Sequence, residues 1–98
     1  MPFEQPIPRA LTLQSVCFYA PTTSGIYGMS NAREWIYIGE TDNIQGTLLS
    51  HLQELTTSVM IQRPTGFVFE ICDRARRTSR QDRLVLEYKP TSNQHSWR

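Results

Sequence analysis

Ninety-eight residues, 39% apolar and 19% charged, suit one globular domain with a single hydrophobic core, and that balance excludes a disordered chain. No run approaches the ~18 apolar residues that span a bilayer, so no membrane role is expected. The net charge of +1 is uninformative, but Arg74, Arg76, Arg77, Arg80 and Arg83, half of the ten basic residues, fall within ten positions. Such a local excess suits an anionic partner such as nucleic acid, against the alternative of a solvated charge run.

The N-terminus has neither a basic stretch nor an apolar one after it, so no signal peptide is expected and the protein reads as cytoplasmic. Cys17 and Cys72 sit in apolar runs and read as buried thiols without metal-ligand spacing. Residues 1–12 contain three prolines and read as an arm rather than a regular element. Leu13 to Ala20 is rich in β-formers (Val16, Cys17, Phe18, Tyr19) and reads as a short strand or extended lead-in, so 1–23 is taken as an arm or lead-in strand. Pro21-Thr22-Thr23 turns the chain.

Gly25–Ser30 and Glu34–Gly39 read as an antiparallel hairpin, with β-branched and aromatic residues at Ile26, Tyr27, Trp35, Ile36, Tyr37 and Ile38. Strand alternation puts Ile36 and Ile38 on one face and Trp35 and Tyr37 on the other, so Tyr27 and Tyr37 can share a face. Asp42, or Thr41, is the candidate N-cap of a following helix, with Gln45 as reciprocal partner. Ile44, Leu48, Leu52 and Leu55 have helical spacing, and Thr47 and His51 lie one turn apart on a neighbouring face. Gly46 costs that helix ~1 kcal/mol relative to alanine and suggests a close approach to the hairpin.

Residues 56–66 read as a loop. Gly66–Cys72 is the clearest strand, with Phe67, Phe69 and Ile71 on one face. Thr78-Ser79-Arg80-Gln81 has capping-box form and opens a helix to about Lys89, ended by Pro90. Residues 94–98 are a polar tail with His95 and Trp97. The expected fold is a small α/β (α+β) sandwich: a mostly antiparallel three-stranded sheet flanked by helices, in one domain over 24–93.

Gly25-Ile26-Tyr27 with Tyr37-Ile38-Gly39 resembles the signature of the GIY-YIG nuclease superfamily. A capped helix follows the second tripeptide. His51 lies fourteen residues after Tyr37, where that family often has a histidine. Leu84-Val85 … Lys89-Pro90-Thr91-Ser92-Asn93 is similar to the family's Leu-Ile … Lys-Pro-x-x-Asn ending. The resemblance covers roughly residues 24–93. It implies DNA cleavage with one divalent metal, Mg if the protein is active. It implies a tyrosine as base or orienting group, an arginine for the phosphate and a glutamate for the metal. Tyr27, Tyr37 and His51 then match catalytic positions, and Gly25 and Gly39 match the motif glycines.

The family's arginine and glutamate positions are Thr47 and Gln81 here. Thr47 lacks the charge and the bidentate fork of a guanidinium, and Gln81 keeps the shape of glutamate without its charge. Asp82 is the neighbouring carboxylate, about 100° round the helix from Gln81. Structural roles compete with these assignments. Gln81 also reads as the partner of the Thr78 cap, the tyrosines as sheet aromatics, and Trp35 and Trp97 as packing residues.

Three readings follow. One is a nuclease-like protein with a DNA-facing groove and weak or lost cleavage. Another is an active structure-specific endonuclease using Asp82 or Glu40 for metal. The third is a non-catalytic interaction module on the same fold. DNA is favoured over RNA, and a partner subunit is a natural source of missing charge.

Overall fold

The computed structural model describes Phe3 and residues 7–93. Its elements are β1 (Arg9–Ala10), α1 (Leu13–Tyr19), β2 (Gly25–Ser30), β3 (Trp35–Thr41), α2 (Ile44–Gln53), α3 (Ser58–Ile61), β4 (Gly66–Ile71) and α4 (Arg77–Tyr88). They form an α+β sandwich around an antiparallel sheet of order β1-β4-β2-β3. The hairpin stands as expected, with Tyr27 opposite Gly39. The sheet has four strands rather than three, because Arg9 and Ala10 of the supposed arm pair with Phe67 and Gly66.

Several local expectations give way to tertiary context. Leu13–Tyr19 is a helix rather than a strand: Thr12 caps it through Ser15 N, and only Val16 within it is buried. Its β-forming residues Cys17, Phe18 and Tyr19 are exposed, so they exert no strand-like packing preference. Cys17 is therefore not a core thiol, and Cys72 is only half-buried. The α2 cap is Asn43, whose side chain accepts from Gly46 N, rather than Asp42 or Thr41. A Cβ on Gly46 would lie 2.6 Å from the Asn43 amide, so this glycine makes room for the cap and not for the hairpin. Gln45 reaches Cys17 O and Ala20 O, closing the end of α1. The helix stops at Gln53, leaving Leu55 exposed. The region expected as a loop carries α3, capped by Thr57. At α4, Thr78 is no cap; the helix starts at Arg77 and the Thr78 hydroxyl turns to Glu40.

The two sheet faces bury separate clusters. Tyr27, Met29, Ile36 and Phe67 pack against Val16, Ile44 and Leu48. Ile26, Ile38 and Val68 pack against Leu84 and Phe3. Ile36 and Ile38 therefore do not share a face as alternation predicts. Met29 pairs with Tyr37 and Ser30 with Trp35, which leaves Ile36 as the extra residue of a bulge. Trp35 consequently packs with Phe3 and Tyr88, at ring separations of 6.1 and 4.7 Å.

The outer edge of β3 is closed by the chain after α4. Lys89, in a left-handed conformation (φ 52°), turns the backbone at the helix end. Thr91 N then donates to Trp35 O and Ser92 N to Ile36 O. Asn93 completes the seal: it accepts from Ile38 N at 2.7 Å and donates to Ile38 O at 2.9 Å. Gln62 holds this segment through Thr91 and Ser92. An edge so covered offers no template for a further strand.

Candidate active site

Three rings meet over β2 and β3. Tyr27 and Tyr37 lie 6.0 Å apart between centroids, and His51 lies 5.7 Å from the first and 6.3 Å from the second. Pairing Tyr27 with Gly39 across the hairpin makes this possible. A Cβ on Gly39 would stand 2.8 Å from both Tyr27 Oη and Tyr37 Cε2, so only glycine lets the two rings close over the strand. Gly25 serves backbone approach too: a Cβ there would lie 2.3 Å from Glu70 O. His51, two turns into α2, brings Nε2 to 3.1 Å from the Tyr27 hydroxyl.

Burial, reinforced by Tyr37, pushes the Tyr27 phenol well above its ordinary range. Burial also pushes His51 below the usual histidine value. Both groups are therefore neutral at pH 7. In the tautomer with Nε2 unprotonated, Tyr27 donates to His51, and the raised phenol with the lowered imidazole keeps that proton on Tyr27.

The surroundings are occupied by internal contacts. Thr47 is bonded to Thr41 through their hydroxyls, and Thr41 also accepts from Asn43 N. Gln81 donates its amide to Ile38 O at 3.1 Å, beside Asn93, so one backbone carbonyl takes two side-chain amides. Arg77 is the hub on the other side. It donates to Glu40 at 2.9 Å, Ser24 Oγ at 3.0 Å, Thr41 O at 3.1 Å and Asp42. Arg77 and then Arg74 hold the Asp42 carboxyl below its ordinary range. Arg74 meets Asp42 at 2.9 Å, Arg76 meets Asp73 at 3.6 Å, and Arg80 holds Glu70 through two bonds of 2.6 and 2.9 Å. The arginine run expected to face an anion is thus largely matched with carboxylates. Arg83 is exposed on α4, and Asp82 is exposed beside Gln81.

These residues do not fit a divalent-metal site. A hard cation needs carboxylate or carbonyl oxygens turned inward. Among the described residues no group of three His, Cys, Asp or Glu side chains could hold an ion. Glu40 spends its oxygens on Arg77 and Thr78, and Gln81 presents a donor to the strand. The resemblance named all three ring residues, but the Arg77 hub was missed. Glu40 and Asp42, directly after the second tripeptide, were the available signal. His95 and Trp97 lie outside the described residues.

A hairpin crossed by a capped helix and closed along β3 by the chain after α4 is the GIY-YIG fold, and this chain has that fold. No family model and no curated protein sequence matches it. Solved structures do. One is the GIY-YIG N-terminal endonuclease domain of UvrC from Thermotoga maritima bound to magnesium, at 21% identity over 83% of this chain and 94% of that one, with a TM-score of 0.70. Two point mutants of that domain, also carrying the catalytic divalent cation, match at 20% identity with TM-scores of 0.69 and 0.70. Across three point mutants of that domain, the changed tyrosines lie ten and then fourteen positions apart in that protein.

Proposed function

We propose that the chain is a nuclease-like protein that binds or acts on DNA and whose metal-dependent phosphodiester cleavage is weak or lost. Tyr27, Tyr37 and His51 repeat the spacing of the three altered tyrosines of the UvrC domain, which supports a common site. The observation that carries the loss of cleavage is the neutral Gln81 amide, held to Ile38 O through Nε2, where the resemblance calls for a carboxylate to hold the cation. Cleavage also requires positive charge on the phosphate as negative charge builds. Arg77, the most buried cation of the run, has its fork committed to Glu40 and Asp42.

Supercoiled and branched DNA incubated with the protein and Mg²⁺ or Mn²⁺ test this reading. The expected result is binding that falls steeply with salt, with no nicking above background. Metal-dependent nicking that vanishes in Tyr27→Phe would overturn the loss of activity and make the protein an active endonuclease. Absence of DNA binding at ~50 mM salt would leave the interaction-module reading instead.

A further inference from the structure

The two outer edges of the sheet are treated differently. That of β3 is sealed by Thr91, Ser92 and Asn93. That of β4 is covered by β1 for only two residues, opposite Gly66 and Phe67. Ile7, the next residue whose main chain could face Phe69, lies bent and exposed. Residues 68–71 therefore lack a strand partner on that side among the described residues.

The direction of the open groups follows from the ladder. Successive residues of a strand aim their N–H and C=O groups at opposite neighbours. Ile38 aims both at Asn93, away from β2, so its partner Gly28 bonds across to Val68. Phe69 and Ile71 then aim their main-chain groups outward, away from β2. Cys72 N donating to Ser24 O fits the same alternation. Side chains follow the complementary rule. Phe67, Phe69 and Ile71 share one sheet face, with Arg9 beside them opposite Phe67. Ile71 is 64% exposed and Ile7 83%. A groove runs along this edge between Ile7, Arg9 and the strand.

We infer that the open edge of β4 is a self-association surface that pairs with the β4 of a second copy, antiparallel across a two-fold axis at Glu70. Phe69 then stands opposite Ile71 of the second copy, and Ile71 opposite its Phe69. Both members of each pair have outward main-chain groups, so the ladder closes. The apolar side chains cover one another on one face. The charges select this register. Arg9 sits at one end of the open edge, stacked 3.9 Å over the Tyr19 ring, with no carboxylate among the described residues as partner. Asp73 follows the other end and is exposed. Antiparallel pairing about Glu70 runs the Asp73 end of one copy toward the Arg9 end of the other, where β1 stops the shared ladder short of Phe67. The two Glu70 side chains meet at the axis, each neutralised by its own Arg80. A net charge of +1 adds little repulsion between copies.

Sedimentation from ~10 µM to ~1 mM tests the pairing, that range suiting a small interface. A concentration-dependent dimer is expected, with exchange of the Phe69 and Ile71 amides slowing as it forms. Ile71→Lys removes association across the range while leaving the unfolding midpoint near that of the parent, since the side chain is exposed. Arg9→Glu weakens association about tenfold, as does Asp73→Lys, and the double variant recovers to within about threefold of the parent. A parent that stays monomeric at ~1 mM overturns the inference, as does a dimer that survives Ile71→Lys. Two single charge variants whose losses simply add in the double overturn the register. The amide-exchange reading on the unmodified protein stands independently of how any variant folds.

Discussion

Replacing Gln81 with glutamate, the residue the resemblance calls for, should damage the protein rather than repair it. In the parent, the Gln81 amide donates to Ile38 O at 3.1 Å in a half-buried setting. A carboxylate there removes the donor and sets negative charge against a carbonyl oxygen. Asn93 still donates to Ile38 O at 2.9 Å, so that oxygen is not orphaned. The cost is the lost hydrogen bond plus incomplete solvation of the new charge, about 1–3 kcal/mol. For a domain of this size each kcal/mol moves the midpoint by roughly 4–8 °C.

The penalty depends on pH. The folded environment raises the pKa of the introduced acid above its unfolded value of about 4.3. The loss is complete above the folded pKa. It fades as pH falls toward the unfolded one, where a protonated acid can again donate to Ile38 O. Gln81→Leu, which removes the donor without adding charge, costs about 0.5–1.5 kcal/mol at every pH. Thermal unfolding of the three proteins between pH 3.5 and 8, without divalent metal, decides the matter. A Gln81→Glu protein as stable as the parent at pH 7 would refute the amide-clip reasoning. So would one restored by millimolar Mg²⁺, which would reveal a cation site already formed around that position.

Gly39→Ala forces a methyl to 2.8 Å from Tyr27 Oη and Tyr37 Cε2 and should cost about 1–3 kcal/mol in urea unfolding, part of it recovered in the Tyr27→Phe background. Because folding lowers the His51 pKa, the unfolded chain takes up the proton first. Stability is full above the unfolded value near 6.5 and falls as pH drops below it; His51→Gln should flatten that slope in urea midpoints read from pH 8 to 5. Arg77→Ala should lower the midpoint more than Arg74→Ala, since the Arg77 side chain is 14% exposed and joins Ser24, Glu40 and Thr41 whereas Arg74 is 76% exposed. Asn93→Ala orphans Ile38 N and leaves Ile38 O to Gln81 alone; it should cost about 1–3 kcal/mol while raising aggregation, read by light scattering during unfolding.

The hairpin and the first half of β4 were legible because their β-branched and aromatic residues are largely buried, where residue type and environment agree. Alternation along the hairpin put Tyr27 and Tyr37 on one face, but only the resemblance to the GIY-YIG signature, with its histidine fourteen residues after the second tyrosine, added His51. The helical state of Leu13–Tyr19 was not legible. Its β-forming side chains face solvent, and the Thr12 cap decides its conformation. Nor was the Ile36 bulge, which depends on how the two strands meet rather than on either alone. The pairing of the arginine run escaped for a similar reason. Glu40 and Asp42 lie more than thirty positions from Arg74 and Arg77, and only closure of α4 onto the end of β3 brings them together. Composition counts charges along the chain, and the fold pairs them across it.

The strap that ends at Asn93 also constrains the order in which the molecule can assemble. The β2–β3 hairpin is local and can form within microseconds. Its outer edge stays bare until residues 91–93, more than fifty positions downstream, have been folded back by α4 and the turn at Lys89. Such long-range closure comes late. The refolding chain therefore passes through a species whose aromatic-rich hairpin is formed and whose flank is open to other chains. Recovery from denaturant should depend far more on protein concentration than the solubility of the finished fold does.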